Sequence, residues 1–137
     1  MFDENLYFNS ASLSRLMERE WAAAYADLDL TPPQAVALQA VLESPGFTPS
    51  KLAKVLVVGR PSASRLVDGL CKKHLVKREY RLEDRRECLL IPTKAGLALK
   101  AGLVQANKRA MRNISEKIGG DLFHAVSGCM LDIRRVL

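Results

Sequence analysis

Apolar positions recur along most of this chain at helical spacing, broken by one short stretch where the period shortens. Leu6, Leu13, Met17, Trp21 and Ala24 fall on one face of a predicted first helix. In LTPPQAVALQAVLES, Ala35, Leu38, Val41 and Leu42 form the buried stripe of a second. Its start is marked by Thr31 as cap, Pro32 in the first turn and Gln34 three residues after the cap, with Leu30 placed to staple onto Ala35. Pro45 and Gly46 end it. TPSKLAKVLVVG repeats the device: Thr48 caps, Leu52, Ala53 and Leu56 point inward, and Gly59 is expected to take the left-handed closing position. RPSASRLVDGLCKK then turns Ala63, Leu66, Val67 and Leu70 to one side and Ser64, Arg65, Asp68 and Lys72 to the other. Two short helices joined by a tight turn are the parts of a helix-turn-helix, although an ordinary surface helix shows the same pattern.

The period changes after Leu75. Val76–Arg81 and Glu87–Ile91 read as two short strands around the charged tip Leu82 to Arg86. From Thr93 the helical period returns through Leu97, Ala101, Val104, Met111, Ile114 and Ile118, predicting a helix of about 25 residues, long against the usual 11–12. Gly119-Gly120 breaks it, and Asp121 is expected to cap a last helix carrying Leu122, Val126, Met130 and Ile133. A helix this long beside so small a core predicts that its stripe is covered by another subunit. The fold expected is mainly α with a β wing: a winged helix-turn-helix whose N- and C-terminal helices form a dimerisation domain. The boundaries are residues 1–30 for the N-terminal dimerisation helix, 31–92 for the winged lobe and 93–137 for the C-terminal dimerisation helices.

Composition narrows the function. At 137 residues, 48% hydrophobic and 26% charged, the chain suits one globular domain. No apolar run reaches the roughly 20 residues of a membrane span, and acidic Asp3 and Glu4 stand where a secretory signal is basic, so a cytoplasmic protein is expected. Glu4 to Phe8 resembles a protease site that continues with Gln, but residue 9 is Asn and the apolar register runs straight through, which favours a native helix. Cys71, Cys88 and Cys129 lack any paired spacing, arguing against disulfides and a metal site. No phosphate-cradling loop or catalytic constellation is present, so neither an enzyme nor a cofactor is expected. The net charge is +6, and residues 60–86 hold nine basic side chains against four acidic ones. One region therefore faces something negative.

LTPPQAVALQAVLES, PSASRLVDGLCKKHLVKR and EDRRECLLIPTKAGLAL together resemble transcriptional regulators of the multiple-antibiotic-resistance (MarR) family. The middle string is similar to the family's recognition helix and the last to its wing signature. Two positions depart: Pro92 replaces the signature's Leu and is expected to end the strand early, and His74 replaces the usual Gly after the recognition helix. The Cys by which one branch of the family senses organic hydroperoxides is Tyr7 in this chain.

The resemblance implies a homodimer on double-stranded DNA, with an operator of two roughly palindromic half-sites. Ser62, Ser64 and Arg65 are then candidates for base edges, Arg for guanine above all. Thr48, Ser50, Lys51 and Lys72 suit phosphates, and Arg60 belongs to the same cationic face. Arg85 or Arg86 would enter a minor groove; the signature match makes Arg86 the inserted residue and Asp84 its orienting partner. A small aromatic or phenolic effector would occupy a cleft that Tyr7, Arg15 and Trp21 are candidates to line. Two rival readings stay open. Cys71 and Cys88, if exposed and activated by nearby cations, would make a thiol-based redox regulator. Otherwise the basic face of the winged helix would dock an acidic protein.

Overall fold

The computed structural model describes residues 2–137 apart from 85 and 87. The elements in order are α1 (Leu6–Tyr25), a 3-10 turn (Ala26–Leu28), α2 (Pro32–Glu43), α3 (Pro49–Leu56), α4 (Arg60–Lys72), β1 (Val76–Tyr80), β2 (Cys88–Pro92), α5 (Lys94–Ala98), α6 (Lys100–Ile118) and α7 (Gly120–Val136). They fall into two compact units, one comprising Tyr25–Val104 and the other the residues up to Ala24 with Gln105–Leu137. The architecture is the mainly helical winged helix-turn-helix expected.

Within Tyr25–Val104 the helix starts follow their chemistry. Thr31 and Gln34 form a complete capping box: the Gln34 N–H donates to Thr31 Oγ1 at 3.4 Å and the Thr31 N–H to Gln34 Oε1 at 3.2 Å. Thr48 caps α3 by accepting from the Lys51 N–H at 3.2 Å. Leu30, Ala35, Leu38, Val41 and Leu42 are buried with Leu52 of α3 and Ala63, Val67 and Leu70 of α4. Each such Leu or Val contributes about 1.5–3 kcal/mol through burial, and the sum fixes the three helices as one layer. The two strands pair antiparallel with Val76 opposite Pro92 and Tyr80 opposite Cys88. Phe47 adds a single bridge to Leu90, closing the sheet onto the loop before α3.

Several expectations are corrected. Gly59 does not close α3; Val57 does, at φ 55, and Gly59 at φ −67 instead opens α4. The strands end one residue earlier and later than expected, and Pro92 is the last paired residue of β2 rather than a break before it. A terminal Pro lacks only a donor that the sheet edge does not need, and the ladder is continued by the Thr93 N–H bonding Leu75 O at 3.0 Å. The long helix is two, divided at Leu99, with Thr93 capping α5. Asp121 is in the first turn of α7, while Gly119 at φ 88 holds the cap position. His74, in the place of the usual Gly, takes a left-handed conformation at φ 57. Of the long stripe, Leu97, Ala101, Val104, Met111 and Ile118 are exposed, and the buried positions of α6 are Leu103, Ala106 and Ala110.

Gly96 marks the tightest contact. A Cβ there would stand 2.2 Å from the Leu75 carbonyl oxygen, so α5 seats on the residue between α4 and β1 only because position 96 has no side chain. Gly96→Ala is expected to destabilise the protein by about 2–4 kcal/mol, read as a lower urea midpoint at unchanged slope.

Candidate nucleic-acid interface

With Ala63, Val67 and Leu70 buried, α4 turns the rest of its surface outward: Arg60, Ser64, Arg65, Asp68 and Lys72 are exposed and Ser62 half-buried. Arg65 does not hang free. Its Nη2 donates to Ser62 Oγ at 3.4 Å, drawing the guanidinium back toward the helix start, where a groove-inserted helix meets bases. The α3 start adds Thr48 and Ser50, half-buried, and exposed Lys51. The Thr48 hydroxyl accepts from Lys51 as the cap, which leaves its own proton to donate outward.

The wing is tied to α4 by a residue pair that the sequence reading did not connect. Arg78 of β1 donates through Nη2 to Asp68 Oδ1 at 2.6 Å, and its Nη1 lies 3.9 Å from Cys71 Sγ. The hydrogen bond with Asp68 raises the Arg78 pKa, with desolvation opposing. Ten residues and a change of element separate the partners, so no periodicity announces them. Lys73, just after α4, pairs with Asp29 at 3.3 Å and holds the other end of the helix.

At the wing tip Asp84 Oδ1 accepts the Arg86 N–H at 2.9 Å, so Asp84 sets the backbone of Arg86, whose side chain is exposed. Arg85, the alternative candidate, lies outside the described residues. The structure thus gathers the candidates on α3, α4 and the wing into one lobe. It does not gather Tyr7, Arg15 and Trp21. Tyr7 is exposed near the start of α1, Arg15 bonds Ser12 Oγ at 3.3 Å, and Trp21 Nε1 donates to Asn107 Oδ1 at 2.8 Å. Tyr7 and Trp21 are about 21 Å apart along the helix axis, too far for one small ligand.

The Cys88 thiol does not match the expectation of cationic activation. Burial pushes the Cys88 thiol up, and the neighbouring Arg78 guanidinium opposes this with less effect. Cys88 is therefore a protonated, half-buried thiol at neutral pH. Cys71 is half-buried as well, and Cys129 is exposed. Among the described residues no group of three or more His, Cys, Asp or Glu could hold a metal ion.

Residues 28–87, which include α2, α3, α4 and β1 but stop short of β2, match the family model described as MarR family. Through these residues the chain is similar to the MarR family. MarR-family folds also match almost the whole chain. The transcriptional repressor CouR bound to a 23-mer DNA duplex superposes with a TM-score of 0.82 at 25% identity, covering 97% of this chain and 94% of that one. The S. aureus MepR–DNA complex gives 0.82 at 18% identity, over 98% and 100% of the two chains. A Listeria monocytogenes MarR-family regulator complexed with 26-mer DNA gives 0.80 at 18%, over 96% and 88%. No curated protein sequence matches the chain.

The Arg78–Asp68 bridge ties β1 of the wing to α4. Both partners are partly exposed, so its coupling energy in a double-mutant cycle of Arg78→Met and Asp68→Asn is expected to be only about 0.5–1 kcal/mol by denaturant unfolding. The same variants should weaken DNA binding more than that small change in stability accounts for, as measured by fluorescence anisotropy.

Proposed function

We propose that this chain is a MarR-family, sequence-specific transcriptional regulator of double-stranded DNA, acting as a homodimeric repressor on a two-half-site operator. The observation that carries this is the outward face of α4, where Ser62 and Arg65 are pre-set at the helix start beside a wing whose Arg86 is positioned by Asp84. Arg65 reads a guanine edge, with Ser62 and Ser64 beside it. Lys51, Lys72, Arg60, Thr48 and Ser50 meet phosphates. Arg86 enters the flanking minor groove, drawn by its concentrated negative potential.

The dimer reading rests on the unit formed by α1, α7 and the later turns of α6. These helices surround an apolar groove of about 480 Å³ lined by Leu13, Met17, Ile118, Leu122, Phe123 and Met130 among others. Leu16, Leu122 and Ile133 expose about half their surface there or nearby. An apolar face of that extent on a small protein calls for a cover, and a second copy supplies one with matching chemistry. Repression relieved by a small aromatic or phenolic effector follows if that ligand prefers one separation of the two heads, and its effect cannot exceed that preference. No described helix is long and apolar enough to cross a membrane, in keeping with a cytoplasmic regulator.

Selection from a random duplex pool is expected to return a palindromic site, and affinity for it should fall steeply with salt as phosphate contacts release counterions. Arg65→Ala should relax preference at one base position per half-site by about 1–3 kcal/mol, whereas Lys72→Ala weakens all sequences alike. A flat salt response would favour a protein-docking role instead. Leu122→Glu, at a half-exposed groove position, should yield a folded monomer by sedimentation with operator affinity reduced at least a hundredfold.

A further inference from the structure

The turn of the helix-turn-helix carries apolar side chains in an unfavourable place. Val57 is 76% exposed, and Val55 and Val58 beside it are 53% and 38% exposed. Val57 also sits at φ 55, ψ 47, a left-handed conformation that a β-branched residue adopts only under strain and that glycine adopts freely. Its N–H donates back to the carbonyls of Ala53 and Lys54, so the position cannot leave that basin without opening the end of α3. Gly59, two residues on, has an ordinary φ of −67 and so does not use its freedom, while the strained position keeps a bulky side chain. Among the described residues nothing covers this side chain, which is open to solvent. Strain retained at an exposed residue points to a contact made outside the chain.

The surroundings identify that contact. Val57 and Val58 share an open concavity of about 550 Å³ with Ser50, Lys54, Gly59 and Arg60. An occupant must offer a methyl-sized apolar group inside a strongly anionic frame. An apolar protein surface would strand Lys54 and Arg60 without counter-charge. The major groove of DNA supplies both features, since the thymine C5-methyl projects between phosphate strands. We infer that Val57, flanked by Val58, reads a thymine methyl at the edge of the half-site bound by α4. The inference rests on the DNA-binding reading above and adds an apolar specificity contact to its polar ones.

Replacing single thymines by deoxyuridine removes that methyl and nothing else. On the selected operator, one thymine per half-site should prove sensitive, wild-type affinity dropping about fourfold on its replacement. Val57→Gly should melt at higher temperature, by about 3 °C or more, because the strain is lifted. It should also bind the thymine and uracil operators equally, at the weaker level. Val57→Ile should keep the methyl preference. A Val57→Gly protein that melts higher yet still prefers thymine at that position overturns the assignment, as does a wild type indifferent to every substitution. Wild-type protein that binds no duplex at all overturns the DNA-binding reading itself and this contact with it.

Discussion

A helix can offer one face to another molecule only if its opposite face is held firmly, and here the burial of Ala63, Val67 and Leu70 does the holding. Those three side chains sink α4 against α2 and α3, and every exposed polar group on the helix inherits its direction from them. The Thr31 and Thr48 caps start the supporting helices at fixed places, and Leu30, just before the first cap, is buried. Positioning of the polar face is thus a consequence of core packing and not of the polar residues themselves. The small corrections to that direction come from surface pairs: Arg78 with Asp68 toward the wing, and Lys73 with Asp29 at the helix end.

Much of this was legible in the chain before any coordinates. Capping residues have local chemistry, so the starts of α2 and α3 could be read from a few letters each. The amphipathic division of α4 needed only its period. His74 was readable too, since its left-handed φ is demanded by the sharp exit from α4. Other features required knowledge of distant neighbours. Glycine at 59 suggested the closing position of α3, but helix geometry placed that position at Val57. The Arg78–Asp68 pair links a strand to a helix face, and no spacing rule joins them. In the long helical stretch, the prominent apolar residues Leu97, Val104 and Met111 proved exposed, while the small Ala106 and Ala110 are buried, since close helix packing favours small side chains.

The exposed apolar residues of α6 and α7 and the exposed polar ones of α4 answer to different partners. In the proposed function, a second copy of the chain covers the apolar surface of the first set, and phosphate and base edges meet the cationic surface of the second. Cys88 fits neither purpose, since burial raises its thiol pKa further instead of activating it. The match of residues 28–87 to the MarR family model agrees with the DNA-facing part of this reading, as does the superposition on DNA-bound CouR over nearly the whole chain.

Which surfaces of the duplex the protein covers is the deciding observation. Dimethyl sulfate footprinting of a selected site reports guanine N7 in the major groove and adenine N3 in the minor groove at the same time. Two patches of guanine protection centred about one helical turn apart are expected, each flanked by protected adenines where a wing lies. Guanines that stay fully reactive under saturating protein, or a single protected patch, would contradict that arrangement.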